Sequence, residues 1–246
     1  MDEQHADDTT PGQAAFAWLV HAFTATSAIF ALLSLMAIFD ENWRLALVWL
    51  LVALAVDGVD GTLARRAHVK RHAARIDGAT LDLVVDYLTY VFVPTIFIWR
   101  AGLVPEALAP WLAAAIQLSS LYLFARSDMK TDDNYFRGFP SLWNVVAFYL
   151  FVVQPGADVG AIVVALLVIT TFAPVLFVHP FRVNEYRPWL PVLAAVWALS
   201  TLALFWPGWG DGLRSAWMAA SLGSGALLLL AGFVRTVRGP RRRGAA

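Results

Sequence analysis

Eight long apolar stretches limit what this chain can fold into more than any other feature of its sequence. A helix needs about 20 apolar residues to cross the hydrocarbon core of a bilayer. Because unpaired backbone groups are costly in lipid, helices are the suitable conformation. The pattern predicts an all-α polytopic membrane protein with about eight transmembrane helices, forming one domain over residues 1–246. The stretches run approximately over 16–38, 44–64, 77–99, 107–125, 140–154, 158–178, 188–206 and 215–235.

The composition favours a membrane protein over a soluble one. Hydrophobic residues make up 59% of the chain and charged residues only 15%, whereas soluble domains carry roughly 25% charged residues. The mean hydropathy of +0.63 agrees with this conclusion. The net charge is zero, which argues against a nucleic-acid partner. The chain has no cysteine, which excludes disulfides, thiolate metal sites and cysteine nucleophiles.

The distribution of lysine and arginine predicts the orientation of the chain. Residues 1–14 are polar and acidic, and they lack the basic segment with which a secretory signal begins. If this segment and the basic tail 236–246 are both cytoplasmic, only three of the 18 basic residues lie outside, namely Arg44, Arg100 and Arg214. Cytoplasmic loops of membrane proteins carry an excess of basic residues. We therefore expect both termini and the 65–76 loop to face the cytoplasm.

Four aspartates at the ends of two predicted spans are candidates for metal binding. Asp57 and Asp60 are three residues apart, and Asp82 and Asp86 are four apart, so each pair shares one face of a helix. Four carboxylates near the edge of a bilayer would repel one another and be poorly solvated. Two divalent cations would balance their charge, and clustered carboxylate oxygens suit Mg²⁺ or Mn²⁺.

Small residues and an arginine beside these carboxylates indicate a phosphate ligand. Gly58, Gly61 and Gly78 would let a phosphate approach the backbone. Arg65, one turn beyond Gly61, could bind a phosphate with two hydrogen bonds. A buried structural network and a proton relay are the alternatives, but neither explains the glycines. His21, in the first span, is expected to form an interhelical hydrogen bond rather than to bind metal.

The aspartate pattern resembles the signature of the CDP-alcohol phosphatidyltransferases. All eight signature positions are present, although twelve residues separate Arg65 from Gly78 where most of the family has eight. This longer spacing is similar to that of a choline-using bacterial branch, as are the stretches 133–140 and 179–182. The signature positions are Asp57, Asp60, Gly61, Ala64, Arg65, Gly78, Asp82 and Asp86.

The resemblance implies a function and a role for each signature residue. The four aspartates would bind Mn²⁺ or Mg²⁺, in the form of two ions, and Asp86 would also be the general base. The CDP moiety would be held by Gly61, Ala64, Arg65 and Gly78. The reaction would join choline to the phosphatidyl group of CDP-diacylglycerol and release CMP. The resemblance also implies a homodimer in the bacterial inner membrane, with its active site facing the cytoplasm.

The choline cation would be held by aromatic faces. Candidates near the signature or the 126–144 loop are Tyr87, Tyr90, Tyr135, Trp143 and Tyr149. Serine, inositol and glycerol phosphate remain open as alternative acceptors, and the anionic groups of serine and glycerol phosphate would call for additional basic residues. A proton-coupled transporter is an alternative of a different class. Release of CMP would distinguish an enzyme from a transporter.

Overall fold

The computed structural model describes residues 9–205 and 211–239 of the chain. Most of the acidic segment 1–14, most of the basic tail 236–246 and the end of the predicted span 188–206 lie outside these ranges. The helices are α1 Pro11–Phe39, α2 Trp43–Arg66, α3 Val69–His72, α4 Gly78–Asp86, α5 Val93–Arg100, α6 Ala109–Ala125, α7 Trp143–Val153, α8 Ala157–Phe172, α9 Trp189–Phe205 and α10 Arg214–Arg238. Two short strands, β1 Phe136–Arg137 and β2 Leu176–Phe177, pair in antiparallel register.

The described helices confirm the predicted all-α fold class and its eight apolar segments. Four segments have the length and composition to cross a membrane, namely Pro11–Phe39, Trp43–Arg66, Gly78–Arg100 and Arg214–Arg238. The other four apolar segments form the shorter helices α6, α7, α8 and α9. The predicted span 158–178 is wrong at its end, because α8 stops at Phe172 and the chain continues into β2. Pro174 explains this boundary, since it has no N–H to extend the helix.

The chain divides into two compact units, of which the first comprises residues 1–117 and 142–158. In this unit, α1 packs against α2, α4 and α5. The buried face of α1 carries mostly small residues, and the Ser34 hydroxyl donates a hydrogen bond to the Ala46 carbonyl at 2.9 Å. Small residues allow two helix backbones to approach closely where lipid provides no hydrophobic driving force. This close packing fixes α1 beside the aspartate pairs.

The third span, Gly78–Arg100, changes its helical geometry directly after Asp86. Residues Tyr87–Phe92 form a π-helical turn between α4 and α5. Pro94 follows this turn and has no N–H for the usual helical hydrogen bond. A π-turn inserts an additional residue into a helix and often occurs at functional sites. It therefore changes which side chains after Asp86 face the aspartates.

The second unit comprises residues 118–141 and 159–246. Its helices α9 and α10 pack together, with Thr201 and Ser221 hydrogen-bonded at 2.8 Å between them. Strand β2 lies against α10, where the Leu176 N–H donates to the Thr236 hydroxyl at 2.8 Å. A side chain at Gly232 would collide with the Leu176 carbonyl, so glycine is needed for this close approach.

A hairpin built from residues 129–137 completes the second unit. The Arg137 N–H donates to the Met129 carbonyl, and Thr131 N–H donates to the Tyr135 carbonyl at 2.8 Å. Asn134 occupies the turn with a positive φ of 67°, a conformation that asparagine tolerates. The hairpin is tied to the 179–182 stretch by the stacking of Phe136 on His179, with ring centroids 5.7 Å apart. The two stretches that resemble the choline-using branch therefore pack against each other.

Candidate active site

Three of the four predicted metal-binding aspartates converge in the first unit. Carboxylate oxygens of Asp57, Asp82 and Asp86 all lie within 4.8 Å of one another, and each side chain is half-buried. Asp57 is on α2, whereas Asp82 and Asp86 lie one turn apart on α4. The predicted meeting of the two helix faces is therefore present in the structure.

The fourth aspartate, Asp60, has a different environment. Its side chain is only 4% exposed and accepts a hydrogen bond from the Thr24 hydroxyl of α1. Asp60 does not belong to the cluster formed by the other three carboxylates among the described residues. Its role as a metal ligand stays a prediction. Sequence reasoning missed this contact of Thr24, although polar residues at three- and four-residue spacing on one face of an apolar helix were a usable signal.

Tyr90 is connected to the aspartate cluster by a short hydrogen bond. Its hydroxyl donates to Asp57 Oδ2 at 2.5 Å, and its side chain is buried. Tyr90 lies in the π-helical turn that follows Asp86. A second carboxylate contact comes from Asp86, which lies within hydrogen-bonding distance of Asp57. Tyr90 therefore orients Asp57, and the choline contact predicted for it stays a prediction.

On α2, the side chain of Arg65 lies close to Thr62 and to the signature residue Gly61. The Arg65 Nη2 donates to the Thr62 hydroxyl at 2.9 Å, and its Nη1 would lie 3.4 Å from a Cβ at Gly61. Gly58 has no neighbouring atom within 4 Å of a Cβ position. The guanidinium thus lies over Gly61 and stays exposed, as a phosphate-binding arginine must.

Two small signature residues contact α1. Ala64 packs on the cluster that contains Ala17 and Val20. A Cβ at Gly78 would lie only 2.8 Å from Cε1 of His21, so the imidazole occupies the space that glycine leaves. The Nε2 of His21 is buried without a hydrogen-bond partner among the described residues, and the interhelical hydrogen bond of this side chain stays a prediction. The small size of both residues is explained by helix packing, whereas their contact with CDP stays a prediction.

The predicted choline-pocket residues occupy diverse environments. The Tyr87 hydroxyl donates to Gln117 Oε1 at 2.6 Å, and Tyr149 packs edge-on against Phe148. Trp143 is fully buried at the start of α7. Tyr135, in the second unit, is also fully buried and donates to Glu185. The choline pocket stays a prediction.

The aspartate cluster has the chemistry of a divalent metal site. Three carboxylates this close together repel one another unless a cation or a proton is shared between them. Their oxygens are the hard donors that Mg²⁺ and Mn²⁺ prefer. The residues present therefore fit a divalent metal, with Asp57, Asp82 and Asp86 as its nearest ligands.

Comparison with known proteins agrees with this geometry. A sequence profile of the CDP-alcohol phosphatidyltransferase family matches residues 18–175, a range that contains all eight signature positions. This family generally uses divalent metals, in keeping with the carboxylate cluster.

Three relatives extend the match along most of the chain. The phosphatidylcholine synthase of Pseudomonas aeruginosa is 44% identical over 214 residues, which cover 86% of this chain and 90% of the relative. The phosphatidylcholine synthase of Bradyrhizobium diazoefficiens is 45% identical over 193 residues, which cover 78% of this chain and 72% of the relative. The phosphatidylcholine synthase of Legionella pneumophila is 35% identical over 230 residues, which cover 89% of this chain and 88% of the relative. Together with the apolar helices, these matches establish that the chain is a multi-pass membrane enzyme that belongs to the CDP-alcohol phosphatidyltransferase family.

Proposed function

We propose that this protein transfers the phosphatidyl group of CDP-diacylglycerol to choline, forming phosphatidylcholine and CMP. The observation that carries the proposal is the convergence of Asp57, Asp82 and Asp86, and the exposed guanidinium of Arg65 farther along α2 supports it. Choline is supported as the acceptor because the relatives that match most of the chain are named phosphatidylcholine synthases.

The reaction is a displacement at phosphorus. The choline hydroxyl oxygen forms a bond to the β-phosphorus, and the bond from that phosphorus to the oxygen of CMP breaks. The hydroxyl proton passes to a carboxylate within hydrogen-bond reach, which we assign as Asp86. Arg65 would bind a phosphate of the nucleotide, and Gly61 and Gly78 would border it. A divalent metal held by the aspartates would stabilise the negative charge of the pyrophosphate.

The metal content is a further part of the proposal. Asp57, Asp82 and Asp86 would hold one ion, and Asp60 would join them to hold a second one. The ions would be Mn²⁺ or Mg²⁺, because all the donors are carboxylate oxygens. Tyr90 would keep Asp57 oriented for either ion through its hydrogen bond.

The membrane orientation is inferred from the charged segments, and the homodimer from the resemblance to the family. We place the enzyme in a bacterial cytoplasmic membrane, as a homodimer, with the aspartates near the cytoplasmic surface. In the second unit, α6, α8 and α10 all end at a common region that holds Arg126, Arg137 and Arg235. Basic residues gathered at one end of apolar helices support a cytoplasmic location for that end.

Incorporation of radiolabelled choline tests the function directly. Purified protein supplied with CDP-diacylglycerol and Mn²⁺ should form labelled phosphatidylcholine and release CMP in equal amounts. Chelation should abolish both products, and added Mn²⁺ or Mg²⁺ should restore them. CMP release only with serine, inositol or glycerol phosphate would refute choline as the acceptor. Full turnover after metal removal would refute the metal-dependent mechanism.

A further inference from the structure

A large cavity lies in the second unit, where three apolar helices end. Its volume is about 820 Å³, within the range of roughly 300–1,000 Å³ that small-molecule sites occupy. Tyr122 of α6, Phe172 of α8 and Arg235 of α10 line it, together with residues of the 129–137 hairpin. None of its lining residues belongs to the aspartate site.

Two of the three arginines in this cavity are already paired. Arg126 Nε donates to Asp128 at 2.7 Å, and Arg235 Nε donates to Asp133 at 2.8 Å. Although burial acts in the opposite direction, hydrogen bonds from Thr131 and Arg235 keep the pKa of Asp133 below its usual value. These two pairs therefore leave little net charge in the cavity.

Arg137 and Asp132 carry the cavity charges that have no ion-pair partner within the described part of the chain. Both side chains are exposed, and both residues line the cavity. No carboxylate lies within ion-pairing distance of Arg137 in residues 9–205 and 211–239. The cavity thus offers one available cation and one available anion. A ligand with a single type of charge would satisfy only one of them.

The remaining features of the cavity favour a lipid that contains a positively charged group. The C-termini of α6, α8 and α10 point their partial negative charge toward this region. Tyr122 and Phe172 are 47% and 58% exposed, and their rings lie 5.0 Å apart. Aromatic faces attract quaternary ammonium groups. The Arg126 guanidinium already lies 5.5 Å from the centroid of the Tyr122 ring, so Phe172 is the aromatic contact for such a group. Exposed apolar side chains on membrane helices contact acyl chains.

We propose that this cavity binds the zwitterionic headgroup of a membrane phospholipid, with its phosphodiester on Arg137 and its ammonium group near Asp132 and Phe172. The headgroup chemistry is that of phosphatidylcholine or phosphatidylethanolamine. Phosphatidylcholine is also the product of the proposed reaction, so the cavity would retain product on residues other than the aspartates. The binding claim itself requires no turnover.

Lipid retention by the purified full-length protein tests this proposal. Delipidated protein is mixed with equal amounts of dioleoyl phosphatidylcholine, phosphatidylethanolamine and phosphatidylglycerol, and bound lipid is measured by native mass spectrometry. Both zwitterionic lipids should be retained in preference to phosphatidylglycerol. Arg137→Gln should weaken their retention about tenfold, as expected for the loss of one charged hydrogen-bonding partner. Asp132→Asn should weaken the retention of both zwitterionic lipids and leave the retention of phosphatidylglycerol unchanged.

Matched variants distinguish binding in this cavity from misfolding and from a general loss of surface charge. Arg238→Gln removes the same charge from an exposed position on α10 that does not line the cavity, and it should bind lipid normally. Arg137→Lys keeps the charge and should retain more lipid than Arg137→Gln, which excludes misfolding as the cause. Asp57→Asn should also retain the lipid.

Three results would overturn the proposal. The first is a preference for phosphatidylglycerol over the zwitterionic lipids. The second is an equal loss of lipid retention in Arg137→Gln and Arg238→Gln. The third is a loss of lipid retention in Asp57→Asn, which would assign the bound lipid to the aspartate site. Failure of choline incorporation with intact lipid retention would instead refute the proposed reaction alone.

Discussion

Asp57 and Asp86 touch each other in the aspartate cluster, yet their surroundings differ. Asp57 accepts a hydrogen bond from the Tyr90 hydroxyl, which fixes the orientation of the Asp57 carboxylate. Asp86 is on α4, one turn after Asp82 and directly before the π-helical turn. A carboxylate that is held in place suits metal binding, whereas the proposed base must reach the acceptor hydroxyl.

We therefore expect Asp57→Asn and Asp86→Asn to fail in different ways. Asp57→Asn should weaken metal affinity and, through it, the binding of CDP-diacylglycerol. Asp86→Asn should lower the single-turnover rate by about 10²–10⁴-fold, because an amide cannot accept the proton. Substrate binding and single-turnover rate, measured on both variants at saturating metal, distinguish these outcomes. A near-normal rate in Asp86→Asn would rule out the base assignment, and an equal loss of binding would make Asp86 mainly a metal ligand.

Tyr90→Phe removes the hydroxyl that orients Asp57 and leaves the ring in place. Loss of a hydrogen bond to a metal ligand typically lowers metal affinity ~10–100-fold, so Mn²⁺ binding should weaken by about tenfold. Electron paramagnetic resonance of free Mn²⁺ measures this without turnover. Tyr87→Phe is the matched control, because its hydroxyl donates to Gln117 from the same turn. Equal effects of the two variants would contradict a positioning role for Tyr90.

At the scale of single elements, the third span shows which details the sequence could predict. The spacing of Asp82 and Asp86 correctly predicted their common helix face, because four residues make about one turn. The π-helical turn after Asp86 has no comparable periodic signal in the sequence. The spacing of the sequence therefore did not predict the hydrogen bond from Tyr90 to Asp57.

The 133–140 stretch contains a glycine whose role is clear only in the structure. Gly138 has a φ of 83°, and a Cβ there would collide with the Thr171 carbonyl. Gly138→Ala should destabilise the protein by more than about 2 kcal/mol, since the left-handed conformation alone costs roughly 1–2 kcal/mol. Gly102 has a similar φ of 66° and no neighbouring atom within 4 Å of a Cβ position. Thermal unfolding in detergent should therefore show a smaller loss for Gly102→Ala, and equal losses would contradict the collision.

His179, stacked on the hairpin, should make stability depend on pH. Burial, followed by the charges of Arg182 and Lys130, lowers the pKa of its imidazole to about 4 from 6.5. The unfolded chain then binds a proton between pH 6.5 and 4 that the folded chain does not, so stability falls as the pH falls through this window. Between pH 7 and 5, His179→Phe should remove about 1 kcal/mol of this loss, a value reduced for partial hydration. Melting curves at pH 7 and 5 measure it, with His72→Gln as the control.

For the whole molecule, composition and apolar length were sufficient to predict eight helical segments, because bilayer thickness sets the length of a span. They were insufficient for the boundaries at loops, as the end of α8 at Phe172 shows. The pairing of β1 with β2 joins residues about 40 positions apart. Long-range pairing of two-residue strands leaves no local pattern to detect. The orientation of the spans depends on charge alone and remains a prediction.

Labelling of single cysteines tests this orientation, since the natural chain contains none. Lys70 lies in α3, between α2 and α4, and Ala107 lies in the loop before α6; both side chains are exposed. One span, Gly78–Arg100, separates the two residues. If basic residues set the topology, Ala107→Cys should react with a membrane-impermeant maleimide in intact cells, and Lys70→Cys should react only after the membrane is opened. Reaction of both cysteines from the same side would mean that this span does not cross the bilayer. Reversed labelling would place the aspartates at the outer surface, away from cytoplasmic CDP-diacylglycerol.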